Sequence, residues 1–168
     1  MKLILPNPSY EASYGEYLRE LGSEERYPFP LDFEHQDFPA LLRRIDDLTV
    51  ERVDSGVVPS STYWLVDGAE LVGVSNLRHY LNERIRHDGG HIGLGIRPSY
   101  RGRGLGRVLL GLTIQEAPRK GIAPLHIHCH KSNLASARTI VGNGGVLDSE
   151  SVDEETQEVI QRYIVEAI

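Results

Sequence analysis

The residues most able to do chemistry form a short glycine-rich run, RGRGLG, at residues 101–106. Its glycines let the backbone approach an anion closely, and its arginines supply positive charge. A helical pattern begins directly after the run, so that helix would direct free N–H groups and the positive end of its dipole into the loop. The run therefore predicts a site for a pyrophosphate, and hence for a phosphorylated cofactor.

Other phosphate-binding loops fit the run less well. It lacks the Lys-Ser or Lys-Thr end of a nucleoside triphosphatase loop, and it lacks the glycine spacing and the later acidic residue of a dinucleotide-binding fingerprint. It resembles the acyl-CoA pyrophosphate loop of the GNAT N-acetyltransferase superfamily: Gln or Arg, two variable residues, Gly, one variable residue, then Gly or Ala. Arg101, Gly104 and Gly106 occupy the defined positions. The alternative is a glycine-rich turn that only links a strand to a helix.

Two further segments carry the same resemblance, in the family's order. IRPSY, just before the loop, is similar to the end of the family's fourth strand, and NLASARTIVGNGG is similar to its second cofactor segment. The resemblance spans residues 62–147, and the earlier residues match loosely. It implies acetyl-CoA as cosubstrate, bound by Leu94, Gly95, Ile96, Arg101, Gly102, Arg103, Gly104, Leu105, Gly106, Asn133 and Ser136. Asn133 would equally cap the helix that follows it, and both roles can hold at once.

The strand pattern before the loop, GHIGLGIR, is interrupted by Gly93 and Gly95. Such a strand can bulge away from its neighbour and leave backbone N–H and C=O groups unpaired. In the family the thiol arm enters a splay of this kind like an extra strand. The resemblance therefore implies that the backbone of residues 94–96 binds pantetheine and donates a hydrogen bond to the thioester oxygen, which would stabilise the developing oxyanion.

Proton transfer needs a base more than an acid. The family often has a tyrosine seven residues after the asparagine, where it protonates the leaving thiolate, but here that residue is Ile140. A thiol of pKa about 8.5 leaves as thiolate without much help, whereas an ammonium of pKa about 10.4 must first lose its proton. The candidate bases are His91 and Glu83, each with a solvated surface residue as the alternative, and His130 is a candidate proton donor to the thiolate.

Three histidines, His126, His128 and His130, alternate along one predicted strand, so their side chains share a face. That spacing could hold a metal ion, although the prediction assigns no metal; the same imidazoles could instead line the acceptor cleft. Cys129 points to the opposite face, where a place in the core is favoured over a nucleophile.

Hydrophobic periodicity predicts the elements that position these residues. The expected helices are at 10–21, 38–53, 104–120 and 134–142, and the expected strands are at 3–5, 62–66, 71–77, 90–97, 125–130, 145–147 and 158–165. Asp67 and Gly68 predict a tight hairpin turn, and the polar segment 78–88 predicts a surface loop. Residues 90–130 read as strand, loop, helix and strand, which is typical of a crossover between parallel neighbours.

The fold expected from the patterns is an α/β layer structure. The resemblance makes it GNAT-like: a mixed, mostly antiparallel central sheet of about six to seven strands, with helices on both faces and a splay between strands four and five. Its 168 residues, 40% of them hydrophobic, suit one compact domain, so we expect a single N-acetyltransferase domain over residues 1–168.

The net charge and the cysteine content argue against several classes of protein. The net charge of −6 argues against a general nucleic-acid binder, which needs a concentrated basic face. One cysteine excludes an internal disulfide, and the apolar start ends at Pro6, so we expect no secretion signal, no membrane segment and a cytoplasmic location.

The function expected is that of an acetyl-CoA-dependent N-acetyltransferase. A primary amine of a small molecule or a protein would attack bound acetyl-CoA directly in a ternary complex, and a homodimer is left open. The alternative is a non-catalytic acyl-CoA sensor, which the missing tyrosine would suit. A metal-binding protein that uses the histidine strand is a third hypothesis.

Overall fold

The structure is a computed structural model and describes residues 1–52 and 56–166. In chain order the helices and strands are β1 (Lys2–Ile4), α1 (Glu11–Leu21), α2 (Phe38–Asp47), β2 (Ser60–Asp67), β3 (Glu70–Arg78), α3 (Glu83–Asp88), β4 (Ile92–Ile96), α4 (Leu105–Glu116), β5 (Leu125–His130), α5 (Leu134–Val141), β6 (Val146–Val152) and β7 (Val159–Val165). Short 3-10 turns lie at Pro8–Tyr10, Phe29–Asp32, Pro98–Tyr100 and Pro118–Lys120.

The strands form two antiparallel sheets, ordered β1-β2-β3-β4 and β5-β7-β6. The predicted α/β fold is confirmed, with seven strands among the described residues and an opening between β4 and β5. The predicted parallel pairing across that opening is wrong. Within residues 1–52 and 56–166, β4 and β5 form no ladder, and the backbone meets β5 in one isolated antiparallel bridge between Gly90 and Ile127.

The Nδ1 atom of the His91 ring explains why no ladder develops at this bridge. The His91 amide donates to the carbonyl of His126 at 2.7 Å, but the His126 amide donates back to the Nδ1 atom of His91, at 2.9 Å, and not to a backbone carbonyl. A ladder needs a backbone acceptor at each step. The histidine ring therefore holds the two sheets together at one end and leaves them apart beyond it.

The four-stranded sheet is covered on both faces, as its strand pattern requires. Trp64 packs against α1 and α2, with its ring stacked on that of Tyr14 at a centroid distance of 5.5 Å. Its neighbour Leu65 points to the other face and packs against Leu105 and Leu109 of α4. The alternation along β2 thus places α1 and α2 on one face and α4 on the other.

Helix α2 is shorter than predicted. The sequence predicts a helix to residue 53, but α2 ends at Asp47, and Val53 lies outside the described residues. The carbonyl of Leu48 accepts a hydrogen bond from the amide of Ser60 at 2.8 Å, where β2 begins. The last carbonyls of a helix have no partner within it, so this bond satisfies the Leu48 carbonyl and ties the end of α2 to β2.

The segment 78–88 is not simply a loop. Arg78 ends β3, and α3 occupies Glu83–Asp88. Asn82 caps α3, since its Oδ1 accepts the amide of Ile85 at 2.9 Å. Asn82 is a typical cap residue, but the polar composition of the segment indicated a surface loop.

Helix α4 ends at Glu116 rather than near residue 120, because Pro118 has no amide to continue it. Gly121, which the sequence places as the end of this helix, ends the following 3-10 turn instead, with a φ of 70°. No helix in residues 1–52 and 56–166 has the length and apolar character needed to span a membrane.

Candidate active site

A cavity of about 760 Å³ lies at the opening and reaches both faces of β4. Its wall on the α1 side contains Tyr17, Leu21, Glu25 and Tyr27. The other wall contains β4, Arg101, Gly102, residues 104–107, Leu110, and Ala135, Ser136, Arg138, Thr139 and Ile140 of α5; Ile127 and His128 of β5 also border it. A ligand held by the glycine-rich loop can therefore reach across to the α1 side.

The glycine-rich loop presents unpaired amides to this cavity. Gly104 has a φ of 73° and precedes the first turn of α4. Among the described residues the amides of Gly104, Leu105 and Gly106 have no acceptor, whereas Arg107 donates to the Gly104 carbonyl at 3.1 Å. Three adjacent free amides at the positive end of a helix form a ready anion site.

The two loop arginines are held by protein groups. The Nε atom of Arg101 donates to the Ile96 carbonyl at 2.9 Å, and its guanidinium pairs with Glu24 at 2.8 Å. Arg103 donates to the Ser99 carbonyl at 3.0 Å and does not line the cavity. Beside their predicted role as counter-charge, the two arginines therefore stabilise the conformation of the loop.

Two exposed cations that the sequence analysis did not single out border the cavity, Arg107 on α4 and Arg138 on α5. Arg107 directly follows the last glycine of the loop. Arg138 lies on the exposed side of the second cofactor segment. Position relative to the loop could have pointed to Arg107, but only the packing of α5 beside α4 brings Arg138 to the same cavity.

β4 offers backbone groups to the opening at alternate residues. The amide of Arg97 donates to the Val72 carbonyl at 2.9 Å, and antiparallel pairing alternates, so Gly95 and Gly93 also direct their backbone groups toward β3. The N–H and C=O groups of Leu94 and Ile96 therefore point to the opening. Among the predicted pantetheine partners, these two face the cavity and Gly95 lines it without a free amide.

Gly93 and Gly95 make room for Tyr27 and do not form a bulge. The register of β3 and β4 runs from Gly73–Ile96 to Leu77–Ile92 without a shift. A Cβ atom at Gly93 would lie 2.5 Å from the Tyr27 hydroxyl oxygen, and one at Gly95 would collide with the Tyr27 carbonyl. The bulge expected from the glycines is therefore wrong, and the glycines instead permit the close approach of a distant segment.

The second cofactor segment begins as predicted. Asn133 caps α5, because its Oδ1 accepts the amide of Ser136 at 3.1 Å. Ser136 lines the cavity and Asn133 does not. Ile140 lines it too and is buried, so the position at which the family often has a tyrosine carries no proton donor here.

None of the three predicted catalytic residues borders the cavity among the described residues. His91 is buried, with its Nδ1 engaged by His126. Glu83 is exposed at the start of α3, and His130 pairs with Glu158 at 3.0 Å. The structure does not bring the three together.

The histidine strand is tied into the fold at several points. His128 borders the cavity, with Arg162 donating to its Nε2 at 3.2 Å, while His130 turns to Glu158. Within residues 1–52 and 56–166 no group of three or more histidine, cysteine, aspartate or glutamate side chains is arranged to hold a metal ion. Cys129 packs against the core cluster around Leu125 and Ile127.

Burial lowers the pKa of His91 to about 4, with the neighbouring His126 acting in the same direction. An imidazole of this pKa is neutral at pH 7 and is a weak base. The unfolded chain takes up the proton at its ordinary pKa near 6.5, so the folded state loses stability as the pH falls from about 6.5 toward 4. Between pH 7 and pH 5, His91 alone lowers the free energy of unfolding by about 2 kcal/mol.

Urea unfolding at pH 7 and pH 5 measures this effect. In His91→Asn the amide oxygen replaces Nδ1 as acceptor but does not titrate, so the loss between the two pH values is expected to shrink by about 2 kcal/mol. His87→Asn, at an exposed position on α3, provides the control for the substitution itself. An equal pH dependence in wild type and His91→Asn would show that this imidazole is not held neutral.

Comparisons with known proteins agree with this geometry. Residues 16–140 match the profile of the Acetyltransferase (GNAT) family. No protein with a curated description matches the sequence.

Three solved structures illustrate the structural similarity. An acetyltransferase from Salmonella typhimurium with its cofactor acetyl-CoA is 15% identical, with a TM-score of 0.67 over 99% of this chain and 94% of that one. The Salmonella typhimurium enzyme that modifies the N-terminal serine of ribosomal protein L7/L12 is 17% identical, with a TM-score of 0.67 over 98% and 93%. A spermidine N-acetyltransferase mutant from Vibrio cholerae is 14% identical, with a TM-score of 0.66 over 99% and 95%. At these identities the similarity shows the fold.

Proposed function

The chain belongs to the acetyltransferase (GNAT) family and is therefore an acetyl-CoA-dependent acyltransferase, and from that premise we propose that it is an N-acetyltransferase. The acceptor is a primary amine of a small molecule or a protein, and it attacks acetyl-CoA directly in a ternary complex. The similar structures include a spermidine acetyltransferase and one that modifies a protein N-terminal serine, which supports either kind of acceptor. Residues 1–168 form one such domain in this proposal. A homodimer and a cytoplasmic location stay predictions.

The observation that carries the proposal is the row of free amides at Gly104, Leu105 and Gly106, next to the open edge of β4. These amides and the α4 dipole bind the diphosphate of acetyl-CoA. The chain leaves β4 directly into the loop, so a tether that starts at the loop and follows β4 runs back toward Gly93. The outward groups of Leu94 and Ile96 bond that tether as an added strand would.

The chemical step uses the same strand edge. The acceptor nitrogen attacks the thioester carbonyl carbon, and an outward amide of β4 donates to the carbonyl oxygen as it becomes negative. The C–S bond then breaks, and CoA leaves. A donor fixed in a strand needs no reorganisation, which is why a backbone amide suits this role.

The amine enters the cavity as the free base. The catalytic roles of His91, Glu83 and His130 stay predictions, and none of the three borders the cavity among the described residues. The low pKa of His91 and its bond to His126 favour a structural role for that ring. Loss of the ammonium proton to solvent before entry needs no group in the cavity.

A non-catalytic acyl-CoA sensor is the second candidate, and buried Ile140 in place of a proton donor favours it. Release of CoA from acetyl-CoA in the presence of primary amines distinguishes the two. Amine-dependent release that scales with protein concentration supports the transferase. Tight acetyl-CoA binding without amine-dependent release would establish the sensor.

Arg107 and Arg138 are expected to bind phosphate groups of the cofactor. Both are exposed at the rim of the cavity and form no ion pair among the described residues. A charge-assisted contact is worth about 1.5 kcal/mol, so Arg107→Gln or Arg138→Gln should weaken CoA binding about tenfold. Calorimetric titration with CoA measures the dissociation constant.

Added salt provides a second readout of the same variants. The difference from wild type should shrink as salt screens the charges. Arg43→Gln, an exposed arginine on α2 away from the cavity, is the matched control and should bind as wild type does. Unchanged affinity in both cavity variants at low salt would exclude phosphate contacts by these arginines.

A further inference from the structure

A tyrosine from the segment between the two predicted N-terminal helices packs against the strand whose open edge holds the cofactor tether. Tyr27 follows α1 and crosses β4 on the face opposite α4, where its carbonyl lies over Gly95 and its hydroxyl over Gly93. Its ring thus lies along β4 and points away from the glycine-rich loop. The cofactor tether, which starts at that loop, must run in the same direction.

The Tyr27 hydroxyl is available for chemistry. Tyr27 lines the cavity, and among the described residues no group forms a hydrogen bond with its hydroxyl. The residue as a whole is 43% exposed, so a ligand in the cavity can reach it. Of the predicted proton-transfer candidates, none borders the cavity, and Ile140 carries no proton to give.

We propose that Tyr27 is a catalytic residue, whose hydroxyl gives its proton to the sulfur of the leaving CoA. The assignment rests on the acetyl transfer proposed above. It places the proton donor on the segment between α1 and α2, on the α1 side of β4, and not on α5. The space left by Gly93 and Gly95 is what allows the hydroxyl to approach the thioester end of the tether.

Tyr27 both gives and takes up a proton in each turnover. The neutral amine nitrogen bonds to the thioester carbon, and the C–S bond breaks with its electron pair on sulfur. Sulfur takes the Tyr27 proton and leaves as the thiol. The resulting tyrosinate takes the proton that the acetylated nitrogen must lose, so each turnover restores the hydroxyl and needs no other reactant.

The surroundings of Tyr27 suit both halves of this cycle. Burial raises the pKa of the Tyr27 hydroxyl, so it is protonated at neutral pH and ready to donate. The cation of Arg78 acts in the opposite direction and would stabilise the tyrosinate while it exists. Arg78 is held in place by its own bond to the Gly90 carbonyl, at 2.8 Å.

Tyr27→Phe tests the proposal because it removes only the hydroxyl and keeps the ring against Gly93. With acetyl-CoA and hydroxylamine, a small amine that is neutral at pH 7, kcat for thiol release is expected to fall about 10- to 100-fold, while KM for acetyl-CoA changes less than twofold. In D2O the wild-type rate should slow, and the Tyr27→Phe rate should slow less. Thermal unfolding with CoA checks that the variant folds and binds.

Tyr80→Phe is the matched control, since Tyr80 is exposed to a similar degree, 42%, and lies outside the cavity lining. It should behave as wild type in every assay. If wild type turns over and Tyr27→Phe keeps the same kcat, Tyr27 is not the donor while the transferase assignment stands. If wild type adds nothing to the enzyme-free rate of thiol release with hydroxylamine or any amine, both the transferase and the role of Tyr27 are overturned.

Discussion

Gly104→Glu is expected to abolish the stabilisation that acetyl-CoA gives the folded protein. At a concentration one hundred times its dissociation constant, the ligand should raise the free energy of unfolding of wild type by about 2.7 kcal/mol. Glutamate places a carboxylate where the diphosphate meets the amides of Leu105 and Gly106, so like charges repel within the site. Thermal unfolding with and without acetyl-CoA measures the loss.

The control for Gly104→Glu is Gly121→Glu, because the two glycines share a left-handed backbone and open surroundings. Gly104 has a φ of 73° and Gly121 a φ of 70°, and neither would place a Cβ within 4 Å of another residue. Both substitutions carry a left-handed backbone cost of about 1–2 kcal/mol without ligand. Gly121 lies outside the cavity lining, so Gly121→Glu should keep the full ligand-induced shift. A folded Gly104→Glu that acetyl-CoA still stabilises would show that the loop does not hold the diphosphate.

Arg97→Met is expected to lower the free energy of unfolding by about 3 kcal/mol at pH 7. The Arg97 side chain is 8% exposed and contacts three carboxylates, Glu20 and Glu70 at 2.7 Å and Glu16 at 3.1 Å. These contacts join α1 to β3 and to the end of β4. Methionine preserves much of the apolar stem of Arg97 but leaves the three carboxylates without their cation. Because these carboxylates are partly exposed, the expected loss of unfolding free energy lies at the lower end of the range for a broken buried ion pair.

The pH dependence of the stability difference between wild type and Arg97→Met shows whether the ion pairs are its source. The pKa of Glu70 is lowered by hydrogen bonds from Arg97 and Ser13. Burial raises the pKa of Glu20, but hydrogen bonds from Ser99 and Arg97 outweigh it and leave the pKa lowered. A carboxylate with a lowered folded pKa stabilises the fold above its unfolded pKa, near 4.3, and the stabilisation disappears as the pH falls through the folded pKa. The gap between wild type and Arg97→Met should therefore narrow below about pH 4.

Arg119→Met is the control for this ion pair. Arg119 is 73% exposed and pairs with Glu116 at 2.6 Å, so its loss should cost about 0.5 kcal/mol or less. Urea unfolding of both variants measures the difference. A cost below about 1 kcal/mol for Arg97→Met would mean that the buried cation contributes little beyond its own desolvation.

The local patterns in the sequence were sufficient for most of the fold. The hydrophobic periodicity that predicted α1 and the hairpin turn at Asp67 and Gly68 both involve residues close together in the chain, so their physical consequences are local. The loop at 101–106 was recognisable for the same reason, since its glycines and the helix after it are adjacent. The end of α2 was not, because it coincides with a contact between Leu48 and the distant Ser60.

The candidate site was less predictable, because its chemistry depends on contacts between distant segments. Gly93 and Gly95 indicated an irregular strand, but the reason for them is Tyr27, which lies between the predicted helices at 10–21 and 38–53. His91 looked like a base from its residue type alone. The bond from His126 that engages its ring joins positions 35 residues apart, and no local pattern reports it.

A crystal structure of the protein with coenzyme A bound tests the central claim most directly. We expect diphosphate oxygens within hydrogen-bond distance of the amides of Gly104, Leu105 and Gly106, and the pantetheine arm along the open edge of β4 beside Leu94 and Ile96. Coenzyme A bound at another surface, or absent from the cavity at saturating concentration, would contradict the account.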